Sequence, residues 1–244
     1  MKIFITGASS GLGAQFAKEY ATNDNELILL ARREQKLLQL QSMLAPHAKS
    51  VEIIVADVCE FKKLQEKIQH LEKIDLVILN AGISLGHTQN MASIEEFKNL
   101  YDVNVLANHA ILEILIPKMQ QEKKGTIVFI SSLASLFSMP TSKVYSSSKR
   151  ALNAYAEGIR YKYAKDGIKV LTLLPGFIKS ELTDKNDFDM PFFLSTKKGV
   201  KIMKRAIEKG KVFYPFPLRF YLIIMLLKIT PRFLRQMIIN SLNK

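Results

Sequence analysis

Six short runs of large, mostly branched or aromatic apolar residues punctuate the chain, at 2–6, 26–30, 51–56, 75–79, 126–131 and 169–174. Most are apolar at consecutive rather than alternate positions, the pattern of strands covered on both faces. Between them apolar residues recur every three or four positions, which predicts helices over 11–22, 33–44, 60–71, 93–121, 141–166 and 196–209. Regular alternation of the two patterns predicts an α/β fold, a parallel sheet whose strands are joined by crossover helices. No repeat, low-complexity tract or Pro/Gly-rich linker divides it, so we expect a single body over 1–211 and a C-terminal extension over 212–244.

The extension has its own pattern. Residues 212–217 offer a short strand at best, and 220–229 are apolar nearly all round. From Pro231, a residue suited to a first helical turn, an amphipathic helix is expected. It places Phe233, Leu234, Met237, Ile238 and Leu242 on one face and Arg232, Arg235, Gln236 and Asn240 on the other.

Charge sharpens this picture. From Lys197 onward there are twelve Lys or Arg residues and one acid, Glu208, which is +11 of the chain's +13, so the body is nearly neutral. Basic residues beside an apolar face suit a segment lying in a membrane interface or meeting a membrane protein. The alternative is a tail packed on the core or across a dimer seam, its charges solvated. Nucleic acid is not the expected partner, because the basic residues are interleaved with large aliphatics rather than forming a polar stripe. No apolar run approaches the roughly 18 residues of a spanning helix. The first strand begins at Lys2, which leaves no room for a signal peptide, and a single cysteine, Cys59, suits a reducing compartment. The expected location is the cytoplasm, at the membrane surface if the tail binds there. With 48% apolar and 23% charged residues the chain falls outside the disordered and fibrous classes.

The candidate chemistry begins where the first strand ends. Thr6 and Gly7 are followed by Ser9, Ser10, Gly11, Leu12 and Gly13, with a helical pattern beyond. Strand, glycine turn and helix together aim backbone N–H groups and a positive helix end at a phosphate. The second strand ends in Arg32 and Arg33, where an acid would bond a ribose 2′-hydroxyl. Guanidinium there suits a 2′-phosphate instead, so NADP(H) is expected in preference to NAD(H).

Further motifs follow in order: Asp57 and Val58 after the third strand; Asn80, Ala81 and Gly82 after the fourth; Asn104 in the next helix; Ser131 and Ser132 ending the fifth strand. Tyr145 and Lys149 then frame three serines, Pro175 and Gly176 end the sixth strand, and Ser180 lies just beyond. Together these resemble the short-chain dehydrogenase/reductase family in its compact single-domain form, over about residues 1–210. The resemblance implies a Rossmann-like doubly wound parallel sheet and a dinucleotide-binding catalytic body. It casts residues 6–13 as the T-G-x-x-x-G-x-G cofactor loop, Asp57 and Val58 as the adenine contacts, and Asn80–Ala81–Gly82 as a brace facing the adenosine ribose. Asn104 would support a proton-relay water, Pro175 and Gly176 close the cofactor site, and Ser180 would bond the nicotinamide carboxamide. A homodimer or homotetramer is also implied, although this tail departs from the family's usual ending.

Residue chemistry agrees with the motif. Tyr145 and Lys149 share a helix face. A phenol is a poor base near its reference pKa of about 10, and the ammonium of Lys149 with an oxidised nicotinamide is expected to pull it down. Tyr145 would then exchange a proton with a carbonyl or alcohol oxygen that the hydroxyl of Ser132 holds, 13 residues upstream. By the resemblance Lys149 also bonds the nicotinamide ribose. Ser131 is read as a strand-end serine, His87 as a loop histidine at the substrate mouth or in solvent, His109 as structural, and Cys59 as core filler. No cluster has metal-ligand spacing, so no metal is expected.

The segment 177–195 is read as a flap, with Phe177, Leu182, Phe188, Met190, Phe192 and Phe193 lining an apolar substrate or packing beneath it. Leu133, Met139 and Pro140 are further lining candidates. The reading is thus an NADP(H)-dependent oxidoreductase acting on a carbonyl or secondary alcohol. Its rival is a cofactor-binding scaffold or sensor recruited by the tail. An epimerase or dehydratase is disfavoured because no sizeable substrate domain follows Ser195.

Overall fold

All six apolar runs form strands, and a seventh joins them. The computed structural model describes residues 1–86, 90–186 and 189–242. The strands are β1 (Lys2–Thr6), β2 (Glu26–Ala31), β3 (Ser50–Val55), β4 (Leu76–Leu79), β5 (Gly125–Ile130), β6 (Ile168–Pro175) and β7 (Phe213–Phe216). The intervening helices are α1 (Gly11–Tyr20), α2 (Glu34–Leu44), α3 (Phe61–Ile68), α4 (Ile94–Tyr101), α5 (Ala107–Glu122), α6 (Lys143–Tyr163) and α7 (Thr196–Glu208). Two more, α8 (Leu218–Ile229) and α9 (Arg232–Leu242), follow β7. Among the described residues the strands form one parallel sheet in the order β3-β2-β1-β4-β5-β6-β7.

Strand residues alternate between two apolar layers, as a pleated backbone requires. Phe4, Ile28, Val77, Ile127 and Phe129 face one layer, where they meet Leu64 and Ile68 of α3, Ile111 and Leu115 of α5 and Leu152 of α6. Ile3, Ile5, Leu27, Leu29, Ile78, Val128 and Leu171 face the other, against Phe16 of α1, Leu37 of α2 and Val200 and Met203 of α7. Burial on both sides explains why the strands read as continuous apolar runs. The fold class is therefore the doubly wound, Rossmann-like sheet expected from the sequence.

Strand order reverses direction between β1 and β4, and a crevice opens beyond their carboxyl ends at such a switch point. Thr6 ties the two together. Its hydroxyl oxygen accepts from the backbone N–H groups of Asn80 and Ala81, both at 3.0 Å, while Asn80 Nδ2 donates to the Thr6 carbonyl at 3.0 Å.

Two elements differ from the sequence expectation. The helix expected over 93–121 is interrupted by a π-helical turn at Asp102–Leu106. The wider turn keeps the apolar repeat of its neighbours, so periodicity does not reveal it. The segment 212–217, a short strand at best by pattern, contains a full partner of β6, paired from Thr172↔Phe213 to Pro175↔Phe216.

Candidate active site

A cavity of about 350 Å³ lies over the switch point, within the usual size range of small-molecule sites. One side is the glycine turn. Gly7 and Gly11 adopt φ of +65° and +53°, the left-handed region where a Cβ is unfavourable. Gly13 is required for packing, since a Cβ there would come within 2.2 Å of the Gly7 carbonyl oxygen. Ser10 at the N-cap of α1 makes no side-chain cap, and the first turn carries no acid. The early N–H groups of that helix therefore remain available toward the cavity.

Of the expected cofactor residues, Gly7, Ser9, Ser10, Gly11, Leu12, Arg32, Arg33, Asp57, Val58, Asn80, Ala81 and Gly82 line this cavity. Tyr145, Lys149, Pro175, Gly176 and Ser180 do so as well, together with Ser132. Thr6, Gly13 and Asn104 do not line it; they hold the elements that do. Leu182 of the flap lines it as expected, and Ile83, Val103, Ile130, Glu181 and Thr183, which the sequence reading did not assign to the site, line it too.

Behind the cavity wall, the serines between Tyr145 and Lys149 anchor their helix. Ser147 Oγ accepts from the Tyr101 hydroxyl at 3.0 Å, and Ser148 Oγ accepts from Asn104 Nδ2 at 3.1 Å. Ser146 Oγ meets Ser142 Oγ at 3.0 Å. Asn104, in the π turn, also grips the loop after β4: its Oδ1 accepts from the Ile83 N–H at 2.8 Å and its Nδ2 donates to the Ile83 carbonyl at 3.0 Å. A Cβ on Gly82 would lie 3.2 Å from Asn104 Oδ1 and 3.4 Å from Lys149 Nζ, so this glycine leaves room where the two converge.

Lys149 is buried, donates to the Ile130 carbonyl at 2.9 Å, and holds its Nζ 5.8 Å from the centre of the Tyr145 ring. Desolvation lowers its amine to about 8. Tyr145 departs from the expected depressed phenol. Desolvation pushes it up to about 12, only partly opposed by its hydrogen bond with Ser132. Burial outweighs the lysine here, because it disfavours the charged form of both groups. Ser131 is buried against the backbone, its Oγ 3.4 Å from the Lys149 carbonyl, which leaves Ser132 as the serine beside the phenol.

At the other end, neither arginine is free. Arg32 pairs with Asp57 at 3.1 Å. Arg33 donates to Ser9 Oγ at 3.0 Å, to Ser10 Oγ, and through one nitrogen to both carboxylate oxygens of Glu181 at 2.8 and 3.0 Å. The sequence placed no acid at the end of β2; the fold brings one from the flap. Glu181 also accepts from Lys36 Nζ and Ser10 Oγ, each at 3.0 Å. Partial desolvation works against ionisation, but the bonds from Lys36, Arg33 and Ser10 outweigh it and hold this carboxyl at about 2.

The flap is tied at its base by a bridge between Ile178 and Leu194. Phe177 and Phe192 pack on Phe220 of α8, with ring centres 5.7 and 5.8 Å away, so these two belong to a wall shared with the tail. Leu133 joins that wall with Leu174 and Ile224. His87 and Phe188 lie outside the described residues. His109 is exposed on α5, its ring edge-on to Tyr155 and its Nδ1 2.8 Å from the Tyr155 hydroxyl. Cys59 is half-buried with its thiol pushed up to about 11 by desolvation and nearby carboxylates, unsuited to nucleophilic work. Among the described residues no group of three or more potential metal ligands gathers.

Residues 1–190 match the family model of the short chain dehydrogenases. An uncharacterized oxidoreductase of Myxococcus xanthus is 34% identical over 219 residues, covering 87% of this chain and 86% of that relative. A short-chain dehydrogenase from Sphingobium yanoikuyae in complex with NADPH superposes with a TM-score of 0.81 at 24% identity, over 89% of this chain and 88% of that one. One from Burkholderia phymatum in complex with NAD gives 0.81 at 21% identity, over 92% and 91%.

Proposed function

The chain belongs to the short-chain dehydrogenase/reductase family of NAD(P)-using oxidoreductases, and we propose that within it this protein is an NADP(H)-dependent enzyme. Its reaction is hydride transfer between nicotinamide and the carbonyl or secondary alcohol of an apolar small molecule. The observation that carries this reading is the convergence of Ser132, Tyr145 and Lys149 in one cavity whose other end is lined by Arg32 and Arg33. The residues fit such a cofactor. The uncapped N–H groups at the start of α1 would hold a pyrophosphate, Arg32 and Arg33 suit a 2′-phosphate, and Asp57 with Val58 suits an adenine. Ser180 suits the carboxamide.

Bound nicotinamide supplies or accepts the hydride; the proton is the protein's task. Ser132 holds the substrate oxygen as negative charge develops on it. Tyr145, with its phenol near 12, rests as the acid, which is the form that protonates a carbonyl oxygen during reduction. Lys149 would bond the nicotinamide ribose and favour the phenolate left after proton transfer, and Asn104, behind the cavity wall, would support a water through which Tyr145 regains its proton. Ile83, Val103 and Leu182, which line the cavity, support an apolar substrate face, while Phe177, Phe192, Phe220 and Leu133 pack together behind it. The tail, with its outward apolar side chains and basic flanks, is assigned to a membrane surface, and the same reading includes a cytoplasmic location and a dimer or tetramer.

The test is NADPH-dependent turnover over a panel of aldehydes and ketones. Tyr145→Phe is expected to lower kcat by about 10²–10⁴-fold while NADPH still binds. Turnover unchanged by that substitution overturns the mechanism. NADPH binding without turnover of any substrate would favour the scaffold reading, and absence of NADPH binding overturns the NADP(H) reading itself.

A further inference from the structure

Glu181 stands in an unusual position for a flap residue. Its carboxylate reaches back across the cavity mouth to the cations beside β2, and the groups that hold it are Arg33 at 2.8 Å, Lys36 at 3.0 Å and Ser10 at 3.0 Å. Two guanidinium contacts, an ammonium and a hydroxyl are also the donors a phosphate monoester would recruit. Charge of the same sign cannot share this small cation set without repulsion, and a dianion brought beside Glu181 must displace it or be weakened by it.

We propose that Glu181 is an internal anion occupying the 2′-phosphate subsite, that Lys36 is a third cation of that subsite beside Arg33, and that NADP(H) binds by displacing the flap carboxylate. This rests on the NADP(H) reading above and goes beyond it in naming a residue that sets cofactor discrimination. Glu181 lowers affinity for a 2′-phosphorylated nucleotide and leaves the unphosphorylated one nearly untouched, which compresses the preference for NADP(H). Glu181 lies two residues before the short turn Thr183–Lys185, and its bonds to Arg33, Lys36 and Ser10 tie this part of the flap to the glycine turn and α2. Arg32, engaged by Asp57 on the adenine side, lies outside this exchange.

The pairs are exposed, with Glu181 at 55%, Arg33 at 43% and Lys36 at 48% side-chain exposure, so the competing interaction is modest and displaceable. Exposed pairs of this kind are individually worth little, and an arrangement in which Arg33, Lys36 and Ser10 all donate to one carboxylate sits at the upper end. The expected gain on removing Glu181 is about three- to tenfold in affinity.

Calorimetric titration with 2′,5′-ADP and with 5′-AMP isolates the phosphate from the rest of the cofactor. Glu181→Gln is expected to tighten 2′,5′-ADP binding about three- to tenfold and to change 5′-AMP binding less than about twofold. Lys36→Gln is expected to weaken 2′,5′-ADP and not 5′-AMP. Unchanged 2′,5′-ADP binding in Glu181→Gln overturns the proposal. Weaker binding does so as well, because it would make Glu181 a clasp closing over the nucleotide. If the unaltered protein fails to distinguish 2′,5′-ADP from 5′-AMP, the NADP(H) preference itself falls and takes this inference with it. Because both substitutions lie on the exposed surface, the thermal transition should stay in place and certify the fold.

Discussion

Tyr145 and Lys149 sit one helical turn apart and are moved in opposite directions by one cause. Burial disfavours charge, so it raises the phenol to about 12 and lowers the amine to about 8. The two groups therefore act oppositely on stability. Between about pH 8 and the ordinary lysine value of 10.5, the unfolded chain binds a proton at Lys149 that the folded chain does not. Stability from this group accordingly rises with pH through that window. Between 10.0 and about 12 the folded chain keeps the Tyr145 proton that the unfolded chain has lost, so its contribution falls with pH. Urea unfolding of the cofactor-free protein and of Lys149→Met, measured from pH 7 to 10, should show the variant's relative stability greatest at pH 7 and declining as pH rises. A difference that stays constant across that range would mean that the amine is not held neutral by the fold.

At the scale of elements, the glycines separate what the fold requires from what it tolerates. Gly13→Ala brings a Cβ to within 2.2 Å of the Gly7 carbonyl oxygen, backbone that cannot swing aside. It should destabilise by about 1–3 kcal/mol and weaken nucleotide binding. Gly158, exposed in α6 with open space for 4 Å around the point a Cβ would take, should behave oppositely. Gly158→Ala is expected to stabilise by about 0.4–1 kcal/mol, since alanine restricts the unfolded chain and suits a helix interior. Thermal or urea denaturation of both variants checks the pair. The same contrast runs through what the sequence disclosed. Strands β1, β2 and β4 were legible because both faces are buried, and the glycine turn because its conformation leaves little choice of residue. The π turn at Asn104 was not, since the wider turn preserves the apolar repeat. Nor was the contact between Glu181 and Arg33, which joins residues 148 apart and depends on where the flap falls. The serines between Tyr145 and Lys149 looked like spacers; their bonds to Tyr101 and Asn104 exist only once α4, the π turn and α6 are packed together.

For the molecule as a whole, the decisive asymmetry lies in the tail. Helix α8 turns Ile224 into the core, and Phe220 and Tyr221 pack beside it, while Leu222, Leu226 and Ile229 remain exposed. In α9 the inward residue is Ile239, while Phe233, Leu234, Met237 and Ile238 of the expected apolar face look outward and so do not pack on the core. Arg219, Lys228 and Arg232 flank this surface. Among the described residues no helix is long and apolar enough to cross a membrane; under the membrane-surface reading proposed above, each basic side chain would add about 1 kcal/mol near anionic lipid. The full-length protein should float with anionic vesicles, less so at high salt, and not with neutral ones. Leu226→Asp combined with Met237→Asp should keep it at the bottom. If the unaltered protein stays at the bottom, or if the paired substitution instead splits an oligomer, the surface is a seam between copies. Strand β7 has a consequence of a different kind. It covers the outer edge of β6 from Thr172 to Pro175, so a chain ending at residue 211 would leave that row of amide and carbonyl groups open at the margin of a largely apolar sheet. Strand β7 becomes the edge in its place, only four residues long and interrupted by Pro215, the kind of short edge that offers another chain little to pair with.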